Sequence, residues 1–293
     1  MLMRPVAAGL PPLPLQQSQY WADALRACGR RVVTTDLGGL GHLVQVDVPL
    51  WRLGRATLAS RGPLWMAEAM PTDRIAALVA HGPRLLNAER EDEIVLRTAG
   101  YRQILSPASV AELPLQISDV AQIAQCSAKW RNALRQGRRR EIWVSAQPAA
   151  GALLEWLLDR ETNTRCRKGY RGLPKDFLRA LVSAAGDDAR IWTAGPAVAP
   201  LAAMLILRHG MSATYLIGWS GDAGRAVSAH HIILMAAATD LAGLGCRTLD
   251  LGTVDTARAP GLARFKIGAG AQVRPLGGTW LRVPGLARHD LAC

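Results

Sequence analysis

The pattern of the chain restarts partway along. Residues 106–115, which hold Pro107 and Pro114, form a break, and on each side of it helical stretches alternate with short apolar runs suited to strands. Such alternation leaves few solutions: helices lie over the faces of a mostly open sheet. The expectation is an α/β chain of two similar lobes, each a mixed sheet flanked by helices. One lobe spans residues 1–118 and the other residues 119–293.

Before the break, Ser18 is expected to cap a helix that ends near Gly29. Strands follow at 31–35 and 43–49, about the Gly38-Gly39-Leu40-Gly41 turn, and at 55–59. Thr72 or Asp73 caps a helix through Ala80, and strands at 85–87 and 102–105 flank a helix at 89–97. After the break, 119–140 reads as one long helix, 142–145 as a strand, and 151–163 and 174–185 as helices. Strands at 189–193, 200–208 and 212–219 lead to a helix at 228–243 and a strand at 247–251. A short helix at 262–268 and strands at 272–276 and 279–283 complete the order.

Charge narrows the partners. Of 293 residues, 35 are Lys or Arg and 23 are Asp or Glu, a net charge of +12. Only Lys129, Lys168, Lys175 and Lys266 are lysines, so the rest are arginines, whose planar fork suits phosphate and carboxylate. The balance admits RNA, a nucleotide or peripheral contact with an anionic membrane; codon bias is the plain alternative. The five cysteines, Cys28, Cys126, Cys166, Cys246 and Cys293, are odd in number and form no C-x-x-C. They fit neither a disulfide framework nor a zinc site, so a reducing, cytoplasmic setting is expected. Residues 1–19 are broken by Pro11, Pro12 and Pro14 and lack the apolar run of a secretory signal. No transmembrane segment is expected either: the longest apolar runs, 201–207 and 232–238, fall far short of the roughly 20 residues a spanning helix needs.

Three constellations could carry chemistry. Ser127 to Arg140 holds six cations and no acid; Arg131, Arg135 and Arg138 share one helical face while Ile123, Trp130 and Leu134 share another. The cationic face either grips phosphate or is simply solvated. The tail segment joins Asp250 and Gly252, at the end of a strand, to a run of small residues around Lys266. Open α/β sheets place ligands at such strand ends, and a lone ammonium there could stabilise an oxyanion. The third, Gly218-Trp219-Ser220-Gly221-Asp222, has its second glycine one place early for a nucleophile elbow. His230 and His231, about 100° apart on a helix, read as structural or turn-facing, and His42, His81, His209 and His289 have no usable spacing, so no metal site is expected. Trp21, Trp51, Trp65, Trp156 and Trp192 read as core or pocket wall.

These residues together resemble a known family. Gln17-Ser18 with Trp21, Arg61-Gly62-Pro63, the helix around Trp130-Arg131-Asn132, and 215–220 are similar to Fem-type (FemABX-like) aminoacyltransferases. So are the helix from Ser228, Leu249-Asp250-Leu251-Gly252 and, above all, Gly261-Leu262-Ala263-Arg264-Phe265-Lys266-Ile267-Gly268. The pattern is shared with BioF2-like acyltransferases of the GNAT superfamily. The resemblance implies two GNAT-like lobes, with donor and acceptor meeting in or beside the cleft between them. It implies transfer of an aminoacyl group from aminoacyl-tRNA, or of an acyl group from acyl-CoA or acyl-carrier protein, onto an amine, with no tightly bound cofactor. Phe265 and Lys266 fall at the donor end, with Arg264 and Ser220 beside it. Tyr215 and Asp250 fall near the cleft, and Arg131, Arg135, Lys129 and Arg61 fall where the anionic part of an acceptor would lie.

The chain also departs from these families. It holds no charged heptad pair for a coiled-coil arm, and Arg225-Ala226-Val227-Ser228-Ala229-His230 stands where a coenzyme A loop reads R/Q-x-x-G-x-G/A. That loop needs small residues because a pyrophosphate is held on closely approached backbone amides. The expected chemistry is direct attack by the amine. Lys266 serves the oxyanion or a donor phosphate, Phe265 shapes the donor channel, and Asp250 or Tyr215 orients the amine or relays its proton.

Overall fold

A computed structural model describes residues 12–49, 54–66 and 69–283. Trp51, His289, Cys293 and the first residues of the leader lie outside them. The described residues fall into two compact units, one of those up to 108 together with those from 275 to 283, the other of residues 109–274.

In the first unit, Ser18 caps α1 (Gln19–Ala27) by accepting the Trp21 N–H. Strands β1 (Val32–Asp36), β2 (Gly41–Pro49) and β3 (Arg55–Gly62) form an antiparallel meander, and the two-residue β4 (Leu64–Trp65) returns to β2. Helix α2 (Pro71–His81) crosses over to β5 (Leu85–Ala88), which pairs parallel to β3. Neither Thr72 nor Asp73 caps α2. Met70 holds the cap position and Pro71 opens the helix, where its missing N–H costs nothing. Then come α3 (Glu93–Thr98), capped by Asp92, and β6 (Tyr101–Leu105).

The second unit opens inside the proline-bounded stretch with β7 (Ser109–Pro114). The long helix expected over 119–140 is two helices, α4 (Asp119–Ala124) and α5 (Ala128–Arg138). The break is made by Ser127, whose hydroxyl accepts the Trp130 N–H while its own N–H goes to the Gly268 carbonyl. Next are β8 (Val144–Pro148), α6 (Gly151–Lys168), which outruns its expected end by more than a turn, and α7 (Lys175–Ala185). Strands β9 (Ala189–Ala194), β10 (Ala202–His209) and β11 (Ser212–Ser220) form a second antiparallel meander. A short α8 (Asp222–Ala226), not foreseen, and α9 (Ala229–Gly243) cross over to β12 (Thr248–Val254), parallel to β11. The unit ends with α10 (Pro260–Gly268) and β13 (Gln272–Pro275), and the last strand, β14 (Gly278–Arg282), belongs to the first unit.

Both units share one plan: an antiparallel meander, a helical crossover, one parallel strand, a helix and another strand. The sheet orders are β1-β2-β3-β5-β14-β6 and β13-β7-β12-β11-β10-β9-β8. Each sheet therefore takes in a strand that follows the other unit in sequence. β7 sits between β12 and β13, and β14 sits between β5 and β6. The first core gathers Leu43, Leu78, Leu86, Leu96, Tyr101 and Trp280. The second gathers Trp130, Leu134, Trp192, Met204 and Ile206 under the almost wholly apolar α9. No described helix is long and apolar enough to cross a membrane.

Candidate active site

The second sheet comes apart at one place. β11 and β12 pair only at Ser212–Thr248, Ala213–Leu249 and Thr214–Asp250, although both strands run further. Two irregularities accompany the split. On β11 an extra residue, Leu216, changes which face its neighbours point to: Tyr215 pairs with Ile206, and Ile217 with Leu205. On β12 the ladder to β7 breaks between Asp250 and Thr253. There the Asp250 carboxylate accepts the Gly252 N–H at 2.6 Å, and Gly252 adopts φ +79°, which a side chain would resist.

Across this break lies Lys266, on the last turn of α10. Its side chain is 5% exposed, and its Nζ donates to the Thr253 carbonyl at 2.8 Å. Burial pushes the ammonium pKa down to about 8, against the pull of the Asp250 charge. Lys266, Phe265 and Leu262 from α10 meet Tyr215, Leu251 and Met204 around a small apolar recess, roofed by Leu234 of α9. Tyr215 lays its phenol against Gly218, where no Cβ would fit, and desolvation holds its proton on beyond the usual phenol range. The neighbouring Tyr170, on the loop after α6, adds to that effect.

Phe265 is also the centre of an aromatic group. The His231 ring meets it edge-on at 5.2 Å, His230 lies 6.1 Å away and Trp130 6.2 Å away. Trp130 and His231 are 4.9 Å apart. Burial lowers the pKa of His230 to about 4, so its imidazole is neutral at physiological pH; carbonyls of Ala203 and Trp219 partly oppose the shift. The sequence offered one overlooked signal for this role: His230 stands one helical turn before Leu234, on the face of α9 that meets the recess.

Of the residues singled out from sequence, the fold brings together Tyr215, Asp250, Phe265 and Lys266. Ser220 ends β11, partly buried, and Arg264 is exposed on α10. Lys129 and Arg135 are exposed on α5 and do not line the recess; Arg135 donates to Asn132 at 2.9 Å. Arg131 turns back to the Cys126 carbonyl at 2.9 Å, and Arg138 forms a two-pronged ion pair with Asp119. The cationic face thus has an acid at its end, which the six-cation run alone did not reveal. Arg61 lies in the first unit, its fork held by buried Glu89 at 2.7 and 3.1 Å. Among the described residues no cluster of three His, Cys, Asp or Glu could hold a metal.

The turn from β11 to α9 is filled by its own residues. Gly221 donates to the Leu201 carbonyl, Gly224 abuts the same carbonyl, and Arg225 folds onto the Ser220 carbonyl and Asp222. Ser228 then enters α9 in the left-handed region, at φ 55°.

Residues 122–267, about half of the chain, match an acetyltransferase (GNAT) domain. Among solved structures the fold is similar to FemX, at 14% identity and a TM-score of 0.76, over 94% of this chain and 93% of that one. It is also similar to the C-terminal domain of a putative lysylphosphatidylglycerol synthetase from Agrobacterium fabrum, at 14% identity and 0.57, over 93% and 90%. A protein of unknown function from Bacteroides thetaiotaomicron aligns at 10% identity and 0.63, over 92% and 91%. By sequence, none of the curated proteins searched matches the chain.

Proposed function

The chain carries a GNAT acetyltransferase domain and is an acyltransferase, and from that premise we propose that it moves an aminoacyl group from aminoacyl-tRNA onto an amine. The observation that carries this reading is the buried Lys266 ammonium beside Phe265 at the split between β11 and β12. Two further features support it. The β11–α9 turn is occupied by α8 and Arg225 rather than left as an open cradle of glycine amides for a pyrophosphate. FemX and the synthetase domain, whose name speaks of lysyl transfer to a lipid, share the fold over nearly the whole chain.

The amine nitrogen attacks the ester carbonyl carbon, a C–N bond forms, and the carbonyl oxygen becomes an oxyanion. The Lys266 ammonium stands beside that charge; one well-aimed donor of this sort contributes roughly 3 kcal/mol. The C–O bond to the ribose then breaks. The amine's proton leaves toward the Asp250 carboxylate, and the Tyr215 phenol, protonated throughout the physiological range, supplies one to the departing ribose oxygen. Phe265 lines the donor side of the recess. Trp143, 75% exposed just beyond Arg139 and Arg140, suits contact with an anionic membrane that presents the amine.

A second reading, transfer from acyl-CoA or acyl-carrier protein, is favoured by the acetyltransferase match itself. Donor choice separates the two. Purified protein and a pool of amines would be supplied with labelled aminoacyl-tRNAs in one arm and labelled acyl-CoA or acylated carrier protein in the other. Transfer from tRNA that Lys266→Ala abolishes supports the first reading. Transfer from the thioesters alone replaces it with the second.

A further inference from the structure

The C-terminal half of α6 and the loop that follows carry Arg160, Arg165, Arg167, Lys168 and Arg171 within twelve residues. The single acid among them, Glu161, is buried and accepts from the Tyr170 hydroxyl at 3.4 Å. None of the five cations is ion-paired among the described residues. Arg165 braces the loop through the Leu173 carbonyl at 2.8 Å, and the other four are exposed. This differs from the basic run on α5, where Arg138 is taken up by Asp119.

Aromatic rings border the stripe. At one end Trp156 and Trp219 meet edge to face at 5.1 Å, and the Arg160 guanidinium lies 5.8 and 5.2 Å from their ring centres. From the loop, Tyr170 folds back to Glu161, is 44% exposed and neighbours Tyr215, which lines the recess. Trp219 is four residues beyond Tyr215 on β11 and, paired with Ala203, points to the opposite face of the sheet from Gly218 and Met204. The Trp156–Arg160 end of the stripe therefore lies on the face of the second sheet opposite Met204, and its link to the recess is Tyr170 beside Tyr215, all within the second unit.

Cations along a track, interleaved with flat rings, are the means by which proteins hold single-stranded nucleic acid: phosphates follow the charges and bases stack on the rings. The helical part alone, from Arg160 to Lys168, spans about 12 Å at 1.5 Å per residue, more than one phosphate needs. We infer that the Arg160–Arg171 segment with Trp156, Trp219 and Tyr170 binds the single-stranded 3′ end of an RNA and leads it to the recess. The inference rests on the donor reading above and assigns that donor its surface.

The test is binding of a short fluorescent RNA with the tRNA 3′ sequence, single-stranded or annealed to its complement, across a salt series. The variants are Arg167→Glu with Arg171→Glu and, as a control with the same charge change, Arg30→Glu with Arg31→Glu on the first unit. Expected is preference for the single strand, at least a tenfold weaker Kd in the first pair, and a salt slope shallower by about 1.4. The control pair keeps both values, and Arg160→Ala weakens binding several-fold with little change of slope. An equal response to both charge reversals, an unchanged Kd, preference for the duplex, or displacement by equimolar nucleoside diphosphate would each overturn the assignment. Turnover separates the two proposals. Transfer from aminoacyl-tRNA with an unchanged KM in the Arg167/Arg171 variant sinks the surface and leaves the donor reading standing. RNA binding that depends on this pair, without transfer from any aminoacyl-tRNA, does the reverse.

Discussion

The role proposed for Lys266 needs a charge in a place that penalises charge. Its pKa in the fold, about 8, lies below that of an unfolded lysine, so the folded state binds its proton less readily. The destabilisation is present in full below pH 8 and disappears as pH rises from 8 toward 10.5. In urea unfolding, wild type should therefore gain on the order of 3 kcal/mol over that interval relative to Lys266→Met. An equal pH response in both proteins would show that the ammonium is not desolvated. The same variant should lose 100-fold or more in kcat with an intact fold. With an acceptor amine already neutral at pH 8, wild-type kcat/KM should fall at higher pH as the ammonium is lost. At this scale the sequence was half legible. Lys266 and Asp250 stood out by rarity and by position at a strand end, and the fold holds both at the split. The left-handed Gly252 turn and the Thr253 carbonyl that receives the ammonium had no signature, because both depend on where β12 leaves its ladder with β7.

Helices and strands were the most legible level, and the errors share a cause. The break between α4 and α5 turns on Ser127, whose cap is reinforced by Gly268, 141 positions later and invisible to any local window. Ser127→Ala should cost about 1 kcal/mol, seen as a lower urea midpoint with an unchanged m-value. A larger loss would mean that the α5–α10 junction, and with it the Trp130–Phe265 contact, depends on this residue. The start of α9 makes a prediction of the same pH sense as Lys266, displaced to acid. His230 is neutral in the fold down to about pH 4, while an unfolded histidine takes its proton near 6.5. Stability should therefore fall as pH drops through that interval, and His230→Phe should flatten the fall. Equal acid midpoints for the two proteins would show that the ring takes up its proton without cost. The histidine pair looked merely structural in sequence because its partners, Phe265 and Trp130, come from two other helices.

For the whole molecule, the repeated order of elements could be read from the letters, but strand neighbours could not. Residues 279–283 have the composition of a strand, yet nothing local says that this strand lies between β5 and β6. It brings Trp280, 2% exposed, into the first core. Trp280→Ala should destabilise the first unit by about 3–5 kcal/mol. Ending the chain at residue 277 should leave that unit without cooperative unfolding while the second retains its own transition, as resolved by calorimetry. A single intact transition in the shortened chain would show that β14 is dispensable.

The reciprocal strand placement also sets a timetable for biosynthesis. A ribosome delivers residues 1–108 first, but the sheet they build stays open between β5 and β6 until Arg282 has emerged. The second unit has all its strands once Pro275 is out, and so completes its hydrogen bonding before the unit that precedes it. Throughout most of translation the nascent chain therefore carries unpaired strand edges where β14 will insert, the kind of exposure that makes folding intermediates prone to aggregate. Slow codons or a stall late in the message would prolong that exposure, and those early in the message would not.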